Sequence, residues 1–282
     1  MEPSRPAPTS ARITGPNLVN DRAALPVAAI VGDHLRHRWF VQQLADDQRF
    51  ELRAVVCERQ PPPAAADDPL VADHFRLRDE AELRHFERAS PLDAHNVPVR
   101  VVGTGESNDP SVADWLRPAG ADYLLLFGCG IIREPLLEDF TGRTINMHLG
   151  LSPYYKGHAT NFWPLVNGEP ECVGTTVHVA TLAVDAGPIL RQARPRIAVG
   201  DGSHDIGSKA VMAGARALRD AAAAYAKGEV SGEPQHGEGR IYRRSDFNPA
   251  AVAEMRRRFA DGMIERYLDE REERDARFPI VE

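Results

Sequence analysis

Residues 26–57 read PVAAIVGDHLRHRWFVQQLADDQRFELRAVVC. Residues 26–31 form a short apolar run that ends at Gly32-Asp33, as a buried strand does. Residues 34–47 carry apolar Leu35, Phe40, Val41 and Leu44, a spacing that predicts a helix. Residues 50–57 form a second strand. One strand–helix–strand unit of this kind predicts a parallel sheet.

The rest of the chain extends the pattern. Residues 58–70, with three consecutive prolines, predict a loop, and 79–89 a helix, with Leu83, Phe86 and Ala89 spaced by three. Strands are predicted at 97–102, 121–127, 144–149, 173–180 and 189–197. Short helices are predicted at 110–116, behind an N-cap at Ser107–Asp109, within 131–140, and at 160–166, ended by Asn167-Gly168. Two long helices follow. The first, at 205–227, is Ala-rich; the second, at 249–274, carries a stripe of Val252, Met255, Phe259, Met263 and Tyr267 between charged faces. That stripe suits packing on its own domain or across a homodimer. The expected fold is α/β, a doubly wound, mostly parallel sheet over 25–245, with a C-terminal helical extension at 246–282 and a disordered, Pro/Ser/Arg-rich tail at 1–24.

The net charge of −7 argues against nucleic acid as partner, because phosphate binding needs clustered basic residues. The three cysteines are scattered and odd in number, as in a reduced, cytoplasmic protein. No apolar run approaches the roughly 20 residues that span a bilayer, and the N-terminus has no apolar secretion core, so no membrane role is expected.

In a doubly wound fold, sites lie at the carboxyl ends of strands. Three such ends stand out: Gly32-Asp33, Gly128-Cys129-Gly130, and the segment from Asn146 to Gly150. Asn146 and His148 are two apart on a strand, so both face one side while Met147 faces the other. An Asn amide cannot titrate, but it can donate to an oxygen that becomes negative. A His beside it can donate again or relay a proton, and Asp185, in a Gly-bounded turn, can raise the pKa of that His or accept a proton. No Ser or Cys is clearly paired with a base, which favours direct attack by an external nucleophile. Cys129 lacks a basic partner and reads as a packing residue. His148, His158 and His178 match no zinc spacing, so no metal is expected.

These residues carry a resemblance. Asn146-Met-His148, Leu151-Ser-Pro153-Tyr-Tyr-Lys156-Gly157, Asn167-Gly168-Glu169, Gly174-Thr175-Thr176 and Asp185-Ala-Gly187 occur in order. Together they resemble the folate-dependent formyltransferases, over about residues 26–245. The combined motif is specific, although each triplet alone is weak. The resemblance implies a Rossmann-like sheet and a formyl group carried on N10 of tetrahydrofolate (10-formyltetrahydrofolate). An acceptor amine attacks the formyl carbon. It implies that Asn146 and His148 stabilise the oxyanion, and that Asp185 orients His148 and takes the amine's proton. The pterin would lie beside the loop Phe127, Gly128, Cys129, Gly130, Ile131 and Ile132, with Val184 on the opposite side.

The chain departs from the family in three places. Asp185-Ala-Gly187 replaces the frequent Asp-Thr-Gly but keeps the carboxylate and the glycine. Glycinamide ribonucleotide members carry a Gly-rich phosphate loop after their first strand, where this chain has Gly32-Asp33-His34-Leu35-Arg36-His37. Methionyl-tRNA members add a basic C-terminal β-barrel, whereas about 40 residues, mostly helical, follow Tyr242 here. The expected acceptor is therefore a small-molecule amine, such as an amino sugar or amino acid derivative, with His34, Arg36, Ser152, Tyr155 and Lys156 as candidate contacts. Two rivals are a formyltetrahydrofolate deformylase and a non-catalytic folate-binding protein. The deformylases carry an extra N-terminal regulatory domain that 1–25 does not supply, and the intact polar trio argues against the second.

Overall fold

The computed structural model describes residues 13–14, 24–61, 67–237 and 239–282. The expected tail over 1–24 otherwise lies outside the described residues. In chain order the elements are β1 (Ile13–Thr14), β2 (Leu25–Gly32), α1 (Leu35–Ala45), β3 (Phe50–Glu58), α2 (Pro69–Phe86), β4 (Val99–Val102), α3 (Pro110–Leu116), β5 (Tyr123–Phe127) and α4 (Leu136–Asp139). They continue with β6 (Thr144–His148), β7 (Tyr155–Gly157), α5 (Trp163–Asn167), β8 (Thr175–Val179), β9 (Ile189–Ala193), α6 (Ser203–Ala226) and β10 (Ser231–Gly232). The last are β11 (Arg240–Tyr242), α7 (Pro249–Ala260), α8 (Met263–Asp269) and α9 (Arg271–Arg277).

Seven strands form one sheet in the order β4-β3-β2-β5-β6-β8-β9. The first five run parallel; β8 is antiparallel to β6, and β9 to β8. β2 is an interior strand beside the central β5, and its composition explains why. Val27, Ala29 and Val31 pack on one face with Phe40 and Val41 of α1 and Leu218 and Ala222 of α6. Ala28 and Ile30 pack on the other with Val112 and Leu116 of α3 and Leu136 of α4. A strand covered on both faces needs apolar residues at every position, and each fully buried Val or Ile contributes about 1.5–3 kcal/mol. The doubly wound, mostly parallel α/β expectation holds.

Two element boundaries differ from expectation. α2 starts ten residues early, because Asp68 caps it by accepting from the backbone of Leu70 and Val71, with Pro69 as its first residue. Val71, His74, Ala81 and Phe86 face inward, and Leu83 is exposed. The helix expected over 249–274 is three helices. Gly262 adopts φ +76°, a left-handed conformation that ends α7 and turns α8 onto the domain. Met255, Met263 and Tyr267 then pack with Leu165, Val173 and Ile206, and Val252 with Trp163 and Phe247. The apolar stripe is thus consumed by the chain's own core.

Candidate active site

β2 is flanked by β3 on one side and β5 on the other, so the strand order reverses at β2 and opens a crevice at the carboxyl ends. A cavity of about 630 Å³ lies there, lined by the ends of β5 and β6, the loop 157–162, and the turn after β8. Strand pleating decides what faces it. Met147 and Val177 are paired across β6 and β8 and point into the core under α6. Their neighbours Asn146 and His178, also paired, point to the other face, into the cavity.

Asp185 is held between two imidazoles. His148 Nδ1 is 3.4 Å from one carboxylate oxygen and His178 Nε2 is 3.7 Å from the other. His178 Nδ1 lies 3.1 Å from the carbonyl of Val179. A carbonyl only accepts, so Nδ1 carries the proton in the neutral ring, and Nε2 accepts from Asn146 Nδ2 at 3.0 Å. That bond fixes the Asn146 amide and leaves its second N–H for the cavity. Thr160 Oγ1 stands 3.2 Å from His148 Nε2.

Burial pushes the His148 imidazole below its ordinary value, against the opposing pull of Asp185, so it is neutral at pH 7. Burial alone would raise the Asp185 carboxyl. Contact with His178 and the charges of His148, His178 and Lys156 outweigh it, and the group sits below the usual carboxylate range. The turn holding Asp185 is unusual. Asp185 has φ +49°, and Gln235 Nε2 donates to the carbonyls of both Asp185 and Gly187 at 2.8 Å. Position 187 requires glycine, because a Cβ there would lie 1.7 Å from the carbonyl oxygen of Val179.

The loop after β5 is fixed from behind. Glu58, buried at the end of β3, accepts from the backbone N–H of Gly130 at 3.2 Å and of Gly105 at 3.1 Å, and from the Ser107 hydroxyl. Asn108 donates to the Ile131 carbonyl at 2.8 Å and accepts from Arg133 N at 2.7 Å. The His37 ring packs edge-on to Phe127, in space a side chain at Gly128 would need. Phe127, Gly128, Cys129, Gly130, Ile131, Ile132 and Val184 all line the cavity. Burial pushes the Cys129 thiol up to about 12, so it is no nucleophile at neutral pH. Ile131, Leu182 and Val184 remain 47–68% exposed, an apolar rim on both sides of the opening.

The candidate acceptor contacts fare less well. Arg36 lines the cavity, but its guanidinium is paired with Glu82. His34 is outside the lining; its backbone N–H is bonded to His37 Nδ1. Ser152 is fully buried beneath the surface, tied through its backbone to Thr176 and Gln192. Tyr155 is buried in the C-terminal core, where its hydroxyl meets Glu169, Asn167 and Arg240. Lys156, the next residue, does not line the cavity either. The loop 152–158 is irregular: Ser152 and Tyr155 are turned inward, whereas Gly157 and His158 line the cavity.

A protein-family model described as formyl transferase matches residues 71–222, more than half of the 282 residues. The chain belongs to the formyl transferase family. A methionyl-tRNA formyltransferase of Myxococcus xanthus is 32% identical over 158 residues, covering 53% of this chain and 50% of that protein. A phosphoribosylglycinamide formyltransferase of Escherichia coli is 30% identical over 131 residues, covering 45% and 61%. The chain thus aligns with about half to three-fifths of the length of these relatives. Among solved structures, a phosphoribosylglycinamide formyltransferase from Anaplasma phagocytophilum has a TM-score of 0.54 at 17% identity, covering 77% of this chain and 98% of that one. A sugar N-formyltransferase from Shewanella sp. FDAARGOS_354 has 0.52 at 19%, covering 78% of each. At these identities the structural likeness speaks to the fold.

Within this formyl transferase fold, sequence reading missed His178, Thr160, Gln235 and His37. His178 had a usable signal: it occupies the alternating strand two residues after Thr176, opposite Asn146 once β6 and β8 pair. The others are long-range contacts with no local pattern. No helix among the described residues is long and apolar enough to cross a membrane.

Proposed function

We propose that the protein transfers a formyl group from 10-formyltetrahydrofolate to the primary amine of a small molecule, an amino sugar or amino acid derivative. The observation that carries this reading is the convergence of Asn146, His148 and Asp185 on one cavity beside a rigid, apolar-rimmed loop. The rim of Ile131, Leu182 and Val184 fits a flat heterocycle, which would cover apolar surface now open to water. When bound, the donor supplies an electrophilic formyl carbon. Asn146, with one N–H pinned by His178, directs the other at the oxygen that gains charge as the amine attacks. His148 stands beside it, neutral and oriented by Asp185. Asp185, ionised at neutral pH, would accept the proton that the attacking amine releases and return it to N10 of the folate as the formyl C–N10 bond breaks, leaving tetrahydrofolate and the formylated amine. The relatives' names include methionyl-tRNA and phosphoribosylglycinamide. The net charge of −7 disfavours a tRNA, and a small acceptor suits a cavity of about 630 Å³.

The test is a mass-spectrometric screen of amines with 10-formyltetrahydrofolate for formylated products, run with wild type and Asn146→Ala. Product formation that falls about 10²–10³-fold in the variant is expected. Formate release that needs no amine, with no formylated product, would replace transfer by hydrolysis.

A further inference from the structure

The first turn of α1 follows the carboxyl end of β2 at the crevice. A helix N-terminus in that place is a ready anion cradle, with backbone N–H groups and the helix dipole aimed outward. In this chain three of its donors are taken by the protein. His34 N donates to His37 Nδ1 at 3.1 Å, and His37 N donates to the His34 carbonyl at 3.0 Å. Arg36 N donates to Glu82 Oε2 at 3.3 Å. The Arg36 guanidinium, on the cavity wall, donates to the other oxygen of Glu82. The Glu82 side chain reaches across from α2 and is 7% exposed. One buried carboxylate therefore takes a helix-terminal N–H and a guanidinium, the pair of donors a phosphate would use.

Arg78 is bonded to Asp79 and lies over the Phe75 ring. Asp33, at the end of β2, adds a second carboxylate, which accepts from Gln60 N at 3.3 Å. Beside Arg36, the cavity presents His37 and the neutral side chain of Gln60.

We infer that Glu82 is a specificity-determining residue: its carboxylate fills the anion position at the N-terminus of α1, so the acceptor brings no phosphate to that end, but a neutral, hydroxyl- or amide-bearing one. The inference rests on the formyl-transfer reading for the word acceptor, and on geometry for the filled position. Excluding one acceptor class with a fixed like charge is specificity by repulsion.

Calorimetric titration with inorganic phosphate tests it on wild type, Glu82→Gln, Glu82→Ala and the double variant Arg36→Ala/Glu82→Ala. The single variants are expected to bind phosphate at least about tenfold more tightly than wild type, a gain that the double variant loses. Glu82→Gln keeps the side-chain shape and carries the test if Glu82→Ala does not fold. Wild type that binds phosphate as tightly as the single variants overturns the inference, as does a double variant that keeps the gained affinity. Folate binding is measured on the same wild-type sample. Its absence would strike the formyl-transfer reading, while the phosphate titrations still decide what Glu82 does.

Discussion

In the proposed transfer Asp185 is the proton acceptor, a role suggested by its place, ionised, against both imidazoles. Replacing its carboxylate by an amide keeps the volume and removes the proton acceptor. Asp185→Asn should fold as wild type does and lower kcat for formyl transfer by about 10²–10⁴-fold, the usual worth of a positioned general base. The amine KM should change far less, since the carboxylate acts on the proton released during attack. Steady-state kinetics with circular dichroism as the fold control checks both halves, and a variant with wild-type kcat would remove Asp185 from the mechanism. That Asn146, His148 and Asp185 meet at one cavity was legible in the sequence because strand period and a Gly-bounded turn are local features. That Tyr155 and Ser152 face inward was not legible, because a loop has no period and their partners, β11 for Tyr155 and Thr176 and Gln192 for Ser152, are distant in sequence.

Legibility among the elements follows the same division. β2 and β5 were read correctly because a strand covered on both faces is apolar throughout, whatever covers it. The break at Gly262 was missed because one glycine inside a long apolar stripe is compatible with an uninterrupted helix, and tertiary packing decided against it. The loop 128–133 shows the limit most clearly. The family resemblance suggested a binding loop, but what holds it, Glu58 and Asn108, lies 72 and 25 residues away in sequence. Glu58→Ala would leave the buried Ser107 hydroxyl without its acceptor, at roughly 1–3 kcal/mol, and free the more exposed N–H groups of Gly105 and Gly130 from their common anchor. A loosened loop must be reordered by its ligand. We expect folate affinity to fall about tenfold while the amine KM stays near wild type. Calorimetry with a folate analogue, beside kinetics in the amine, measures the two separately; equal losses in both would mean that Glu58 supports the fold as a whole.

Across the whole molecule, two buried contacts join segments distant in sequence. At the junction of α2 and α6, the rings of His74 and His204 lie 4.3 Å apart. Burial first, then the charge of His204, lowers His74 from 6.5 to about 3, and burial with Arg78 lowers His204 to about 4. Both are neutral in the folded chain at pH 6, where the unfolded chain binds their protons. Their share of stability is full above about pH 6.5 and is lost as the pH falls toward 4, by about 1.4 kcal/mol per pH unit for each group. Urea denaturation between pH 7 and 5 should therefore show a steep loss, reduced in His74→Phe. The second contact is the C-terminal segment. Val281 O accepts from Gln192 N at 2.6 Å, and Gln192 Oε1 accepts from Val281 N at 3.1 Å. Gln192 Nε2 then donates to Ser152 O and Thr176 Oγ1, beneath the loop that follows His148. Tyr154 OH donates to Pro279 O at 2.8 Å and packs edge-on to Phe278. The segment thus covers the edge of β9 and pins the loop 152–158 through one buried amide. Deleting 278–282 exposes that amide's oxygen and the β9 backbone to water, which can satisfy them, so the loss is mainly of packing and order. We expect about 1–2 kcal/mol lower stability, a Tm drop of roughly 2–8 °C, with faster amide exchange confined to 150–158 and β9. An unchanged Tm with unchanged exchange in those residues would show that the loop is held from the β11 side alone, through the parallel pairing of Tyr155–Gly157 with Arg240–Tyr242.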